Sequence, residues 1–62
     1  MHLTLNGVAR DTDAVTLLDL VGPLPDGQAV AVNHEVVPRS EHGTRLLVDG
    51  DVVDVVTAVA GG

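Results

Sequence analysis

The most constraining feature of this sequence is a run near its carboxyl end in which both alternating faces are apolar. One face carries Val53, Val55, Thr57 and Val59, and the other carries Val52, Asp54, Val56, Ala58 and Ala60. Successive side chains of a strand point to opposite sides of the sheet, so two apolar faces indicate a strand covered on both. Asp54 indicates that its own face is only partly covered. We therefore predict a strand with a helix packed on one side and partial exposure on the other.

The rest of the core must come from aliphatic side chains. The 62 residues contain no Cys, Phe, Tyr or Trp, so thirteen Val, eight Leu and six Ala have to fill the interior. Neither a disulfide nor an aromatic base-stacking platform can form. A chain this short buries only about 60% of its unfolded surface. The sequence predicts one small domain without an enclosed catalytic cleft.

Local patterns predict a hairpin and a helix in the first half of the chain. Alternation over 2–5 predicts a strand, and Asn6-Gly7 predicts a type I′ turn in which Leu5 pairs with Val8. A helix is predicted over 14–21, because Thr12 and Asp13 are good N-terminal caps and Gly22-Pro23 ends a helix. Its predicted buried face consists of Val15, Leu18 and Val21, flanked by Leu17 and Leu20.

The second half predicts further strands. Residues 28–33 carry Val30 and Val32 on one face, Asn33-His34 predicts a turn, and 35–37 predicts a return strand that Pro38 ends. A further short strand is predicted over Arg45–Val48, followed by a turn at Asp49-Gly50-Asp51. The order of elements predicts an α+β architecture, with one sheet and one helix.

Charge and the scattered polar residues restrict the function. A formal charge of −6, with no Lys, disfavours nucleic acid and anionic membranes as partners and favours a basic protein partner. No apolar run is long enough to span a bilayer, and residues 1–4 lack the charged start of a signal peptide, so a soluble, cytoplasmic protein is expected. By itself the chain is expected to be monomeric. The histidines are predicted to be solvated surface residues rather than metal ligands: His2, His34 and His42. Ser40 beside Glu41 and His42 does not make a catalytic triad.

The carboxyl end is the strongest candidate for chemistry. The predicted strand runs into Ala60, Gly61 and Gly62, three residues that could extend roughly 10 Å at about 3.3–3.6 Å per residue. Glycine adopts backbone angles closed to other residues, so such a tail could thread a narrow channel and present the Gly62 carboxylate to another protein's active site. The dipeptide by itself is also compatible with an inert terminus.

The motifs together resemble the ubiquitin-like sulfur carriers, and specifically the ThiS family within the ThiS/MoaD superfamily. The resemblance covers essentially the whole chain and rests on these segments: Leu5-Asn6-Gly7, Val15 to Leu20, Ala31-Val32-Asn33, Val36-Val37-Pro38-Arg39, Asp49-Gly50-Asp51-Val52-Val53 and Val59-Ala60-Gly61-Gly62. It implies a β-grasp fold: a mixed sheet of four to five strands whose first and last strands lie parallel at the centre, with one main helix. The domain would span 1–59, and 60–62 would be a flexible tail.

The resemblance also implies a role as a protein co-substrate rather than an enzyme. A ThiF/MoeB-type adenylating enzyme, which supplies ATP and magnesium, would activate Gly62. A persulfide donor such as a cysteine desulfurase would convert it to a thiocarboxylate, and thiazole synthase would take the sulfur for thiamine biosynthesis. No cofactor would be bound by the chain itself. Gly61 would thread the channel, and the predicted partner-binding residues are Ala60, Ala58, Val56 and Arg39.

Two alternatives remain open at the level of sequence. A carrier with the same chemistry could supply sulfur for molybdopterin, cysteine or a secondary metabolite, because the acceptor enzyme decides the product. An interaction module with an inert tail is the alternative from another class. For Val56 and Ala58, a role as plain sheet residues carries equal weight, and Arg39 could equally serve only to keep a loop soluble.

Overall fold

A computed structural model describes residues 1–57 of the chain. Its five strands form one sheet in the order β2-β1-β5-β3-β4. In chain order the elements are β1 (His2–Leu5), β2 (Val8–Asp11), α1 (Leu17–Val21), β3 (Gln28–Val32), β4 (Glu35–Val37) and β5 (Val52–Thr57). The predicted boundary between residues 59 and 60 lies outside the described residues. Within residues 1–57, no helix is long and apolar enough to cross a membrane.

The centre of the sheet is the parallel pair of the first and last strands. Strand β1 runs parallel to β5, with Thr4 opposite Val52 and Leu5 opposite Val53. The other strand pairs are antiparallel. Parallel neighbours need a long crossover connection, and here it contains the helix and the second hairpin. This mixed sheet with one helix confirms the predicted α+β, β-grasp fold.

Both predicted hairpin turns are present. Asn6 and Gly7 have φ of 50° and 80°, and Asn33 and His34 have φ of 52° and 70°. Two successive positive φ values are the mark of the type I′ turn, which matches the right-handed twist of the strands it joins. Leu5 lies opposite Val8, as predicted from the sequence.

The helix begins later than its sequence predicts. Its N-cap is Thr16, whose hydroxyl accepts a hydrogen bond from the Asp19 amide at 3.1 Å. The Asp19 carboxylate in turn accepts from the amides of Thr16 (3.1 Å) and Val15 (3.3 Å). These hydrogen bonds, the Thr16 amide first, hold the pKa of Asp19 below its ordinary value. The reciprocal capping box satisfies amides at the helix start, so the predicted caps at Thr12 and Asp13 are wrong.

The buried face of the helix also differs from the prediction. Leu17 is fully buried, and Leu20 and Val21 pack against the core, whereas Val15 and Leu18 are 59% and 41% exposed. Because the helix starts at Leu17, Val15 precedes it and cannot share its face. The core that the helix covers consists of Leu3, Leu17, Val30, Val32, Val37, Leu47 and Val53.

The predicted strand over Arg45–Val48 is wrong. Leu46 forms only an isolated bridge with Thr16, the helix cap, and Leu47 alone of the segment is buried in the core. A 3-10 turn over Arg39–Glu41 precedes this segment. It places His42 in the interior, 5% exposed, with its Nε2 atom 3.0 Å from the Val37 carbonyl oxygen. The prediction that His42 is a solvated residue is therefore also wrong, since the turn brings its ring back under β4.

Candidate functional site

The candidate site lies at the C-terminal end of β5, because the predicted reactive residues come after this strand in the chain. Strand β5 is described as far as Thr57. The predicted Gly62, Gly61, Ala60 and Ala58 lie outside the described residues. The described part of the site consists of the root of that segment and the surface around it.

The first part of β5 is held on both sides by asparagines from the two hairpin turns. The Asn6 side-chain oxygen accepts a hydrogen bond from the Val55 amide at 2.7 Å. The Asn33 side-chain oxygen accepts from the Val52 amide at 2.9 Å, and its amide group donates to the buried Asp51 carboxyl at 2.9 Å. We call Val52–Val55 the anchored half of β5. Each turn therefore fixes both its own hairpin and the central strand.

The last two residues of β5, which we call its open half, have fewer neighbours. The pairing with β1 ends at Val53, so Val56 and Thr57 are opposed only by β3, through Ala29 and Gln28. Val56 is 53% exposed, whereas Val53 is fully buried. The strand therefore projects beyond β1 at the end that leads to residues 58–62.

An apolar strip covers the sheet face opposite the helix at this end. Cross-strand partners share a face, and the pairs Val56–Ala29 and Ala31–Val36 both belong to the face away from the core. Val56 and Val36 are 53% and 67% exposed, and the two alanines between them are half-buried. Asp54 shares this face and is half-buried, as its position in the sequence pattern predicts. We call Ala29, Ala31, Val36 and Val56 the open-face strip.

Arg39 lies at the same end of the sheet. Its guanidinium donates to two successive carbonyl oxygens, those of Leu24 at 2.9 Å and Pro25 at 3.0 Å. The Asp26 carboxylate is 3.8 Å away. The loop thus held leads into Gln28, the partner of Thr57 in the sheet. Arg39 follows β4, which β3 separates from β5, and its guanidinium faces this chain's own loop.

Sequence reasoning missed the two asparagine anchors and part of the open-face strip. Asn6 and Asn33 were recognised only as turn formers, although an asparagine side chain leading a turn can also reach a neighbouring strand. Val36 was assigned to a strand without a face. The alternation of Val36 with the buried Val37 was the available signal, since consecutive strand residues face opposite ways.

The described side chains do not gather into a catalytic or metal-binding cluster. Within residues 1–57, no three His, Cys, Asp or Glu side chains are placed to hold a metal ion. His2 contacts Asp11, at 3.9 Å, while His42 contacts a backbone carbonyl.

Comparisons with known proteins agree with this geometry. The family model described as the ThiS family matches residues 3–62. A crystal structure of the thiamine biosynthesis protein ThiS from Geobacter metallireducens is similar over all of both chains, with a TM-score of 0.84 and 26% sequence identity. No curated protein matches. Since the family model covers nearly every residue, including Gly61 and Gly62, the chain belongs to the ThiS family.

Proposed function

We propose that this chain is a sulfur carrier of thiamine biosynthesis that is chemically modified at Gly62. One observation carries the proposal: the family match continues to residue 62, so it includes the Gly-Gly end that follows the central strand of a β-grasp domain after three intervening residues. The similar structure from Geobacter metallireducens is named as a thiamine biosynthesis protein, which supports the pathway.

The proposed chemistry takes place at one carboxyl group, that of Gly62. A Gly62 carboxylate oxygen attacks the α-phosphorus of ATP in an adenylating enzyme, pyrophosphate leaves, and an acyl-adenylate forms. The terminal sulfur of a persulfide then attacks the acyl carbon and displaces AMP. A thiol cleaves the resulting acyl disulfide, so Gly62 retains the sulfur as a thiocarboxylate. The thiocarboxylate sulfur is a softer nucleophile than the carboxylate oxygen that it replaces. This sulfur is then transferred in the reaction of thiazole synthase.

The chain acts in this scheme as a co-substrate, and the enzymes supply the catalytic groups. ATP and magnesium bind to the adenylating partner. Glycine at position 61 suits a narrow channel, because a residue without Cβ can adopt backbone angles and approaches closed to other residues. The reaction is expected in the cytoplasm, on a carrier that is monomeric alone.

The open-face strip is the proposed docking surface for these partners. It combines two exposed valines with two half-buried alanines beside the root of the tail, and contiguous exposed apolar surface marks interaction sites. The net charge of −6 favours a partner with a basic rim, and association is expected to slow as salt rises. Partner contact by Arg39 stays a prediction from the sequence, and the orientation of its guanidinium towards Leu24 and Pro25 favours a different role.

Mass spectrometry tests the proposal directly. The intact chain is incubated with ATP, magnesium, a persulfide source with a thiol, and a ThiF-type adenylating enzyme validated on its own carrier. We expect the mass to rise by the difference between sulfur and oxygen. Tandem fragmentation should locate the change at Gly62.

Two variants serve as controls for that measurement. Deleting Gly62 should abolish the mass change and leave the melting temperature unchanged, because a terminal glycine has no side chain to bury. Gly61→Val should reduce the modification while also leaving the fold intact. An unchanged mass for the wild-type chain, with the validated enzyme active, would contradict the proposed function.

A further inference from the structure

We propose that Arg39 is a positioning residue for acyl transfer at Gly62, an inference that rests on the proposed function. Its guanidinium donates hydrogen bonds to the carbonyl oxygens of Leu24 and Pro25, at 2.9 and 3.0 Å. We call this pair of hydrogen bonds the clasp. The Pro25 carbonyl also accepts the Gln28 amide at 3.3 Å, and Gln28 lies opposite Thr57. One side chain thus connects the end of β4 to the loop that supports the open half of β5.

The clasp matters because only β3 supports this part of β5. Val56 and Thr57 extend past the last pairing with β1, so their position follows that of Ala29 and Gln28. The start of β3 is in turn fixed by the loop that Arg39 holds. Releasing Arg39 would therefore loosen the start of β3 and, with it, the point from which residue 58 continues.

The short stretch of chain between Thr57 and Gly62 makes this point of departure important. Five residues follow Thr57, and five extended residues span at most about 18 Å, at about 3.6 Å each. When the domain is docked on a partner, a shift of Thr57 directly changes how far Gly62 can reach. A displacement of about 1 Å at a reacting group can cost about 100-fold in rate.

Arginine suits the clasp better than lysine does. Its planar fork presents parallel N–H groups to two acceptors at once, whereas the ammonium of lysine is a compact point charge on a flexible stem. A clasp therefore requires the geometry of Arg39, while a simple charge contact with a partner requires only its charge. This difference separates the positioning role from the contact role.

The experiment compares Arg39→Lys and Arg39→Gln with the wild-type chain. Hydrogen exchange on the carrier alone should accelerate by about ten-fold at the Gln28 and Val56 amides in both variants, as for loss of a charge-assisted hydrogen bond. In the adenylation assay, kcat should fall by about ten-fold or more in both, with little change in KM. Arg10→Gln is the matched control, since it makes the same charge change on β2, at the far edge of the sheet.

The outcomes divide cleanly. Unchanged exchange at Gln28 and Val56 in Arg39→Gln would overturn the clasp. Accelerated exchange with unchanged kcat would overturn its role in the reaction, and a salt-dependent KM defect that Arg39→Lys repairs would assign Arg39 to partner contact instead. If the wild-type chain is not adenylated at all, the proposed function fails, and so does the role of Arg39 in acyl transfer. The exchange data on the free carrier still decide in that case whether the clasp exists.

Discussion

The two halves of β5 differ in how the rest of the chain holds them. The anchored half, Val52–Val55, receives side-chain hydrogen bonds from Asn6 on one side and Asn33 on the other. The open half, Val56–Thr57, has β3 on one side only and an exposed valine. The hydrogen bonds that hold the strand are thus concentrated at Val52–Val55, and Val56–Thr57 stays accessible. The proposed function requires this division, because partners that act on Gly62 would have to reach Val56–Thr57 without unfolding Val52–Val55.

Breaking the Asn33 anchor should have the largest effect on stability. Asn33→Ala removes the acceptor for the Val52 amide and the donor to the buried Asp51 carboxyl, and it places alanine at a φ of 52°. We expect the free energy of unfolding to fall by about 3 kcal/mol, which sums an unsatisfied buried group and a strained backbone. Urea denaturation followed by circular dichroism measures it.

Asn33→Gly separates the two contributions to that loss. Glycine accepts the positive φ without strain but provides no side-chain hydrogen bonds. Relative to Asn33→Ala, the glycine variant should regain only the part of the unfolding free energy that is lost to backbone strain, about 1 kcal/mol. A glycine variant as stable as the wild-type chain would show that the anchor contributes nothing.

Breaking the Asn6 anchor should have a smaller effect. Asn6→Ala removes one acceptor, that of the Val55 amide, and again strains a residue with positive φ, but it leaves no buried carboxyl without its donor. We expect a loss of about 2 kcal/mol. The same denaturation series measures it.

Asn6→Asp is the control for this position, since it keeps a side-chain oxygen that can accept from the Val55 amide. It should cost less than Asn6→Ala. A loss for Asn6→Ala that equals or exceeds that of Asn33→Ala would contradict the proposed ranking of the two anchors.

Changing the open half should have the smallest effect on stability and a clear effect on binding. Val56→Asp alters an exposed residue, so the free energy of unfolding should change by about 1 kcal/mol or less. An unpaired carboxylate buried against an apolar partner surface should weaken binding to the adenylating enzyme by about ten-fold or more. Titration calorimetry or the KM of adenylation measures this.

Val8→Asp is the matched control for that experiment. Val8 is a strand valine with similar exposure, 63% against 53%, but it lies on β2, away from the open-face strip. It should bind like the wild-type chain. Equal losses from the two variants would place the docking surface elsewhere.

Much of the fold could be predicted from local patterns. Two asparagine-led turns with alternating apolar flanks define both hairpins, because few residue pairs accept two positive φ values. The helix was harder to place, because three residues near its start are all good caps: Thr12, Asp13 and Thr16. Thr16 is the N-cap because Asp19 completes its capping box and Leu46 forms a β-bridge with it. The second of these partners is remote in sequence.

The candidate site was predictable only in part. The exposure of Val56 agrees with the sequence pattern, in which Asp54 marks the partly covered face of the strand. The orientation of Arg39 towards Leu24 and Pro25 could not be predicted, because the loop it holds lies 14 and 15 positions earlier in the chain. Long polar side chains follow whichever acceptors the assembled fold brings near.

The two turns, the alternating strands and the aliphatic core follow from local patterns, since each depends on the backbone and side-chain preferences of adjacent residues. The tertiary structure decided where the helix starts, that residues 45–48 form no strand, that His42 is buried, and which side chains hold β5. These outcomes depend on hydrogen-bond partners and packing surfaces that meet only when distant segments come together. The asparagine that begins each turn shows both levels, because its backbone follows from the sequence and its side-chain partner from the fold.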